Sequence, residues 1–125
     1  MRIISWNVRG MKKSQVLQDV MFLKRVHNPN IMFILETMVN TKHITNILPE
    51  TRFEHFEYVD AVNHYGGIAV LWNNETIYVS ILSKEQRAIH LLVHDIEKNQ
   101  NVIVNGVYAP AQHKKKSRFG TTYFI

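Results

Sequence analysis

Two uninterrupted runs of five apolar residues, Ile31-Met32-Phe33-Ile34-Leu35 and Ile68-Ala69-Val70-Leu71-Trp72, constrain this chain more than any other feature. A run without alternation leaves no face for water, so each reads as a strand covered on both sides. Such strands need packed layers above and below them. The neighbouring segments supply candidates for those layers. A short strand over residues 2–6 ends in the turn Asn7-Val8-Arg9-Gly10. Ser14 can cap a helix running to about His27, in which Val16, Leu17, Val20 and Leu23 recur three and four apart. Asn28-Pro29-Asn30 stops it, because the residue before proline avoids the helical region. Residues 41–48 predict a second, shorter helix, with Ile44, Ile47 and Leu48 on one side and Pro49 beyond.

The remainder reads as strands. Residues 53–59 form one, and Gly66-Gly67 precedes the second apolar run. Ile77, Val79 and Ile81 alternate with Thr76, Tyr78 and Ser80, and Ile89, Leu91 and Val93 alternate in the same way. A polar turn over residues 95–101 leads into a last strand over 102–108. The order βαβα followed by five strands predicts an α/β fold.

Composition narrows the class. The 125 residues are 46% hydrophobic, enough for a core, and include no cysteine, which excludes disulfides, thiolate zinc sites and a cysteine nucleophile. No run approaches a membrane span, and the apolar stretch after Met1 is too short for a secretory signal. The expectation is an intracellular protein without a membrane partner, the nucleus being one compartment open to it. The net charge of +5 is concentrated in Lys114, Lys115, Lys116 and Arg118; the rest of the chain is nearly neutral. That cluster reads as a solvated loop or as a segment that attracts phosphate.

Three polar residues stand where strands end. Asn7 follows the first strand and Glu36 the second; if those strands are neighbours, an amide and a carboxylate lie side by side. A hard divalent cation takes oxygen ligands of this kind, although a turn asparagine and a solvent-facing glutamate fit the same pattern. Tyr108 ends the last strand, as a hydrogen-bond donor to phosphate or as a rim residue with a wet hydroxyl. His90 and His94 have zinc-like spacing only on a helix; on a strand they stand ~13 Å apart. Asn74-Glu75-Thr76 matches a glycosylation acceptor without a secretory signal to accompany it.

Four blocks occur in order: residues 3–10 (IISWNVRG), 29–37 (PNIMFILET), 66–72 (GGIAVLW) and 104–110 (VNGVYAP). Together they resemble the endonuclease/exonuclease/phosphatase superfamily, and most of all the endonuclease domain of plant non-LTR (long interspersed) retrotransposons. The resemblance covers residues 1–119 and leaves 120–125 as a non-homologous tail. It implies the N-terminal half of a four-layered α/β sandwich, a mixed sheet with helices on its outer face. It also implies Mg²⁺-dependent phosphodiester hydrolysis, with Mn²⁺ as a substitute ion. Glu36 matches the metal-binding glutamate, Asn7 the asparagine beside metal and phosphate, and Tyr108 the tyrosine that contacts the scissile phosphate. Nucleic acid is the implied partner, DNA ahead of RNA, with Arg9, Lys114, Lys115, Lys116 and Arg118 as basic contacts.

The family's Gly-Asp-Phe-Asn and Ser-Asp-His blocks, which supply the water-orienting aspartate and the Asp–His pair, are absent from these residues. Loss of a positioned base costs typically ~10²–10⁴-fold, so weak or absent hydrolysis is expected from this chain alone. The alternatives are a non-catalytic nucleic-acid binder and a decayed retrotransposon-derived fragment. If each half of the family fold supplied one sheet, the inner face of this half would lie open and invite self-association.

Overall fold

The computed structural model describes residues 1–11, 15–63, 65–109 and 121–124, the last four by their backbone. The two apolar runs, β2 (Ile31–Leu35) and β4 (Ile68–Trp72), lie side by side in the middle of a four-stranded sheet. β1 (Ile3–Asn7) flanks β2 and β3 (His55–Val59) flanks β4. Central position explains why neither run alternates: every residue of β2 and β4 is buried. α1 (Gln15–His27) carries the chain from β1 back to β2, so those two strands run parallel, while the other pairings are antiparallel.

One face of this sheet is covered by the helices. Met32, Ile34, Ala69 and Leu71 pack with Val16 and Val20 of α1, and with Ile44 of α2 (Thr41–Ile47). The Asn40 side chain accepts from the His43 N–H at 3.1 Å and caps α2. The second helix ends one residue earlier than expected. Leu48–Thr51 tightens into a 3₁₀ turn with Pro49 at its start, where a missing N–H costs nothing. Ser14, the expected cap of α1, lies outside the described residues.

The opposite face corrects the expectation of an open surface. β5 (Ile77–Glu85), β6 (Ala88–Asp95), β7 (Gln100–Tyr108) and β8 (Thr121–Phe124) form a second antiparallel sheet in that order. Ile31, Phe33, Leu35, Ile68 and Val70 bury themselves against Ile77, Ile89, Leu91, Val93 and Val104. The chain thus supplies strands to both sheets and closes its own inner layer. The alternating strands were legible, but nothing local said that they form the facing sheet. Gly106 permits a close approach of the two sheets, since a Cβ there would lie 2.2 Å from the Phe33 ring. Residues 121–124 form β8, which pairs antiparallel with β7 from Asn105↔Phe124 to Tyr108↔Thr121. β5 is longer than its alternation suggested, and a bulge between Ile81 and Ser83 breaks its register.

Candidate active site

Parallel pairing places Asn7 opposite Leu35, so Asn7 and Glu36 leave neighbouring strands at the same end, as the sequence predicted. The segments beyond are laced together through their backbones. Val8 N–H donates to Leu35 O at 2.9 Å, Gly10 N–H to Glu36 O at 2.8 Å and Met11 N–H to Thr37 O at 2.8 Å. From the other side Met38 N–H donates to Gly66 O at 2.7 Å and Thr37 N–H to Gly67 O at 3.2 Å. The arrangement holds left-handed backbone at Arg9 (φ 54°), Glu36 (φ 58°) and Met38 (φ 57°). Non-glycine residues adopt that region at a cost of roughly 1–2 kcal/mol each, and persist there where surrounding bonds over-determine them. Three such residues therefore lie at this one end.

Tyr108 enters from the second sheet. It is 6% exposed, and its N–H donates to the Arg87 carbonyl in the β5–β6 turn at 3.1 Å. Its hydroxyl oxygen accepts the Gly67 N–H. Burial pushes the phenol pKa up; the Gly67 N–H and the Arg87 guanidinium oppose this, and the Glu36 carboxylate adds to it. Glu36 and Tyr108 therefore feel each other across the gap between the sheets. A Cβ on Gly66 (φ +74°) would lie 1.9 Å from the Tyr108 hydroxyl, and one on Gly67 (φ +92°) 2.2 Å from the buried, unpartnered Thr37 Oγ1. Only glycines fit this turn.

Asn7, Glu36 and Tyr108 thus converge on one end of the sandwich. Arg9 is exposed at the same end, and its N–H donates to Asn7 Oδ1 at 3.2 Å. Lys114, Lys115, Lys116 and Arg118 lie outside the described residues. Gly66, Gly67 and Arg87 join the site without having been singled out for it. The glycine doublet was legible only as the lead into the second apolar run, and an exposed hairpin arginine leaves no signal in sequence. His90 and His94 sit on β6, bonded to Asn105 at 2.7 Å and Asn101 at 2.8 Å, on the face away from the inner core.

Among the described residues no three His, Asp or Glu side chains group as a metal cage. Glu36 and Asn7 offer one charged and one neutral oxygen donor, which fits a Mg²⁺ ion that keeps several waters.

Two packed sheets with helices outside the first define a layered α/β fold, with its polar strand ends gathered around Glu36. Among solved structures, the chain is similar to an AP endonuclease from Leishmania major, with a TM-score of 0.61 and 15% identity over 86% of this chain and 39% of that one. Looser likenesses are a 3′ phosphatase from Neisseria bound to a product DNA hairpin (TM-score 0.49, 18% identity, 82% of this chain and 40% of that one). A 3′–5′ exonuclease from Neisseria meningitidis is similar at TM-score 0.47 and 17% identity, over 82% of this chain and 40% of that one. The chain spans about two fifths of the length of these structures. The first likeness shows the fold. By sequence, no protein-family model and no curated protein matches. No helix among the described residues is long and apolar enough to cross a membrane.

Proposed function

We propose that this chain carries the metal- and phosphate-facing part of a divalent-cation-dependent phosphodiesterase acting on nucleic acid, DNA ahead of RNA. The observation that carries the reading is the convergence of Asn7, Glu36 and Tyr108 from three strands on one backbone-laced end. Glu36 and Asn7 would hold Mg²⁺, or Mn²⁺ in its place, with Glu36 supplying the charge. Such an ion, when bound, polarises a phosphoryl oxygen. Tyr108 would supply a neutral donor, since burial raises its pKa and keeps the phenol protonated. Arg9, with Lys114, Lys115, Lys116 and Arg118, would contact the phosphate backbone. The four sequence blocks support descent from a retrotransposon endonuclease domain. The same blocks lack a general base, so the chain alone is expected to hydrolyse weakly or not at all.

Two measurements test this. Nuclear magnetic resonance titration with Mg²⁺ should shift the Asn7 and Glu36 signals in the millimolar range, and Glu36→Ala should abolish the shift. Supercoiled plasmid incubated with Mg²⁺ should show no nicking above an EDTA control. An absent Mg²⁺ response overturns the metal assignment; rapid nicking lost on Glu36→Ala overturns the incompleteness. A non-catalytic binding role is favoured by the basic cluster near residue 116. It predicts DNA affinity that falls steeply with salt and drops when Lys114, Lys115 and Lys116 are neutralised.

A further inference from the structure

The loop that leads into β4 carries an aromatic ring beside the candidate site. Leu35 pairs with Ile68, so residues 65–67 lie at the same end of the sandwich as Asn7 and Glu36. Val62 N–H donates to Tyr65 O at 2.9 Å and Tyr65 N–H to Val62 O at 3.0 Å, which closes a tight loop just before the glycine doublet. Ala61 N–H donates to Val39 O at 3.3 Å and Met38 N–H to Gly66 O at 2.7 Å, so both arms of the loop are anchored. Gly66 in turn lies against the Tyr108 hydroxyl, 1.9 Å from where its Cβ would be. On this fixed backbone Tyr65 is 74% exposed, the largest value among the exposed hydrophobic and aromatic side chains described. It belongs to a loop at a strand end, not to a sheet edge or an outer sheet face.

The second sheet brings a cation to the same place. Glu85 pairs with Ala88, which leaves Gln86 and Arg87 as the β5–β6 turn, and Arg87 O accepts the Tyr108 N–H at 3.1 Å. Arg87 is exposed. Burial raises the Tyr108 pKa and the Arg87 guanidinium opposes that rise, so its charge reaches the phenol. The neighbouring carboxylate on the hairpin, Glu85, is turned to His90 Nε2 at 2.7 Å. Among the described residues no carboxylate pairs with Arg87, and its charge is left uncompensated.

We propose that Tyr65 and Arg87, one from each sheet, form a nucleotide subsite flanking Tyr108, in which the Tyr65 ring stacks on an unpaired base and the Arg87 guanidinium takes a neighbouring phosphate. The inference rests on the reading of this end of the sandwich as a nucleic-acid site, and it names the form of nucleic acid that site takes. In a duplex each base face is covered by its neighbours and only base edges are open to a side chain. An exposed ring on an anchored loop finds a base face in a single strand, where stacking is tolerant of base identity. The anchored loop has little ordering left to lose on binding, which favours Tyr65 as the contact. The guanidinium fork of Arg87 suits the phosphate geometry, and its charge is not spent on a carboxylate of the described chain. The substrate class is therefore single-stranded or locally unpaired nucleic acid, held without strong sequence preference.

Fluorescence anisotropy of the full chain with a labelled oligothymidylate, and with the same strand paired to oligoadenylate, tests it across a range of salt in Mg²⁺. The single strand should bind more tightly than the duplex. Tyr65→Ala should weaken single-strand binding about tenfold and leave duplex binding unchanged, while Tyr65→Phe, which keeps the ring, should bind as the wild type does. Arg87→Gln should weaken single-strand binding and reduce the slope of log affinity against log salt by about 0.7. Circular dichroism confirms that each variant compared is folded, and the phenylalanine variant separates loss of the ring from loss of the loop. Single-strand binding that falls on Arg9→Gln but is indifferent to Tyr65→Ala and Arg87→Gln overturns the subsite and leaves the nucleic-acid reading standing. So does a duplex bound as tightly as the single strand. Absence of binding to either probe overturns the nucleic-acid reading and the subsite with it.

Discussion

The Tyr108 hydroxyl occupies the space a Gly66 side chain would need, with only 1.9 Å between its oxygen and an added Cβ. Gly66→Ala should therefore cost about 2 kcal/mol or more in urea unfolding, from left-handed backbone plus displacement of the phenol. In a Tyr108→Phe background the same substitution should cost about 1 kcal/mol less, since the clashing atom is gone. Equal costs in both backgrounds would place the Tyr108 hydroxyl elsewhere. His90 offers a pH-dependent reading of the second sheet. Its pKa is raised above 6.5, chiefly by the hydrogen bond to Asn105 and further by Glu85, whose carboxylate lies 2.7 Å from Nε2. A raised folded-state pKa stabilises the fold fully below pH 6.5 and loses that contribution as pH climbs through the raised value. Histidine titration followed by nuclear magnetic resonance should show the raised midpoint, and Asn105→Ala should bring it back towards 6.5.

At the level of elements, patterns that rest on local periodicity translated directly into structure. The unbroken runs Ile31–Leu35 and Ile68–Trp72 became the buried central strands, and the spacing of Val16 and Val20 became the buried stripe of α1. Features set by distant partners did not show. Thr121-Thr122-Tyr123-Phe124 has nothing to distinguish it from a polar-aromatic end until β7 offers it an edge. The bulge after Ile81 likewise arises from fitting β5 to β6. Gly106 is a further case: in sequence it is a weak point within an apolar strand, and in the fold it is the hollow that receives the Phe33 ring. Gly106→Ala should cost about 2–3 kcal/mol in chemical denaturation, because a Cβ 2.2 Å from that ring forces the sheets apart. A near-neutral effect would mean that the two sheets do not meet at this point.

For the molecule as a whole, the candidate site was legible where it sits on strand ends and illegible where it depends on how the sheets stack. Asn7 and Glu36 follow from parallel neighbours, while the arrival of Tyr108 and Arg87 requires the second sheet to fold over the first. That stacking also decides whether the chain is a folded unit or a decayed fragment. It has two cores, one between helices and first sheet and one between the sheets, and they share β2 and β4, which contribute Met32, Ile34, Ala69 and Leu71 to one and Ile31, Phe33, Ile68 and Val70 to the other. Cores with common strands cannot come apart separately, so unfolding should be a single cooperative transition. The two tryptophans report on them individually, since Trp6 packs against the outer core and Trp72 lies in the inner one. Urea titrations of Trp6→Phe and Trp72→Phe, each followed by the remaining tryptophan's fluorescence and by circular dichroism, should give coincident curves within each variant. Fluorescence and circular dichroism that diverge, or a broad change without a sigmoidal transition, would show that the sheets do not form one body.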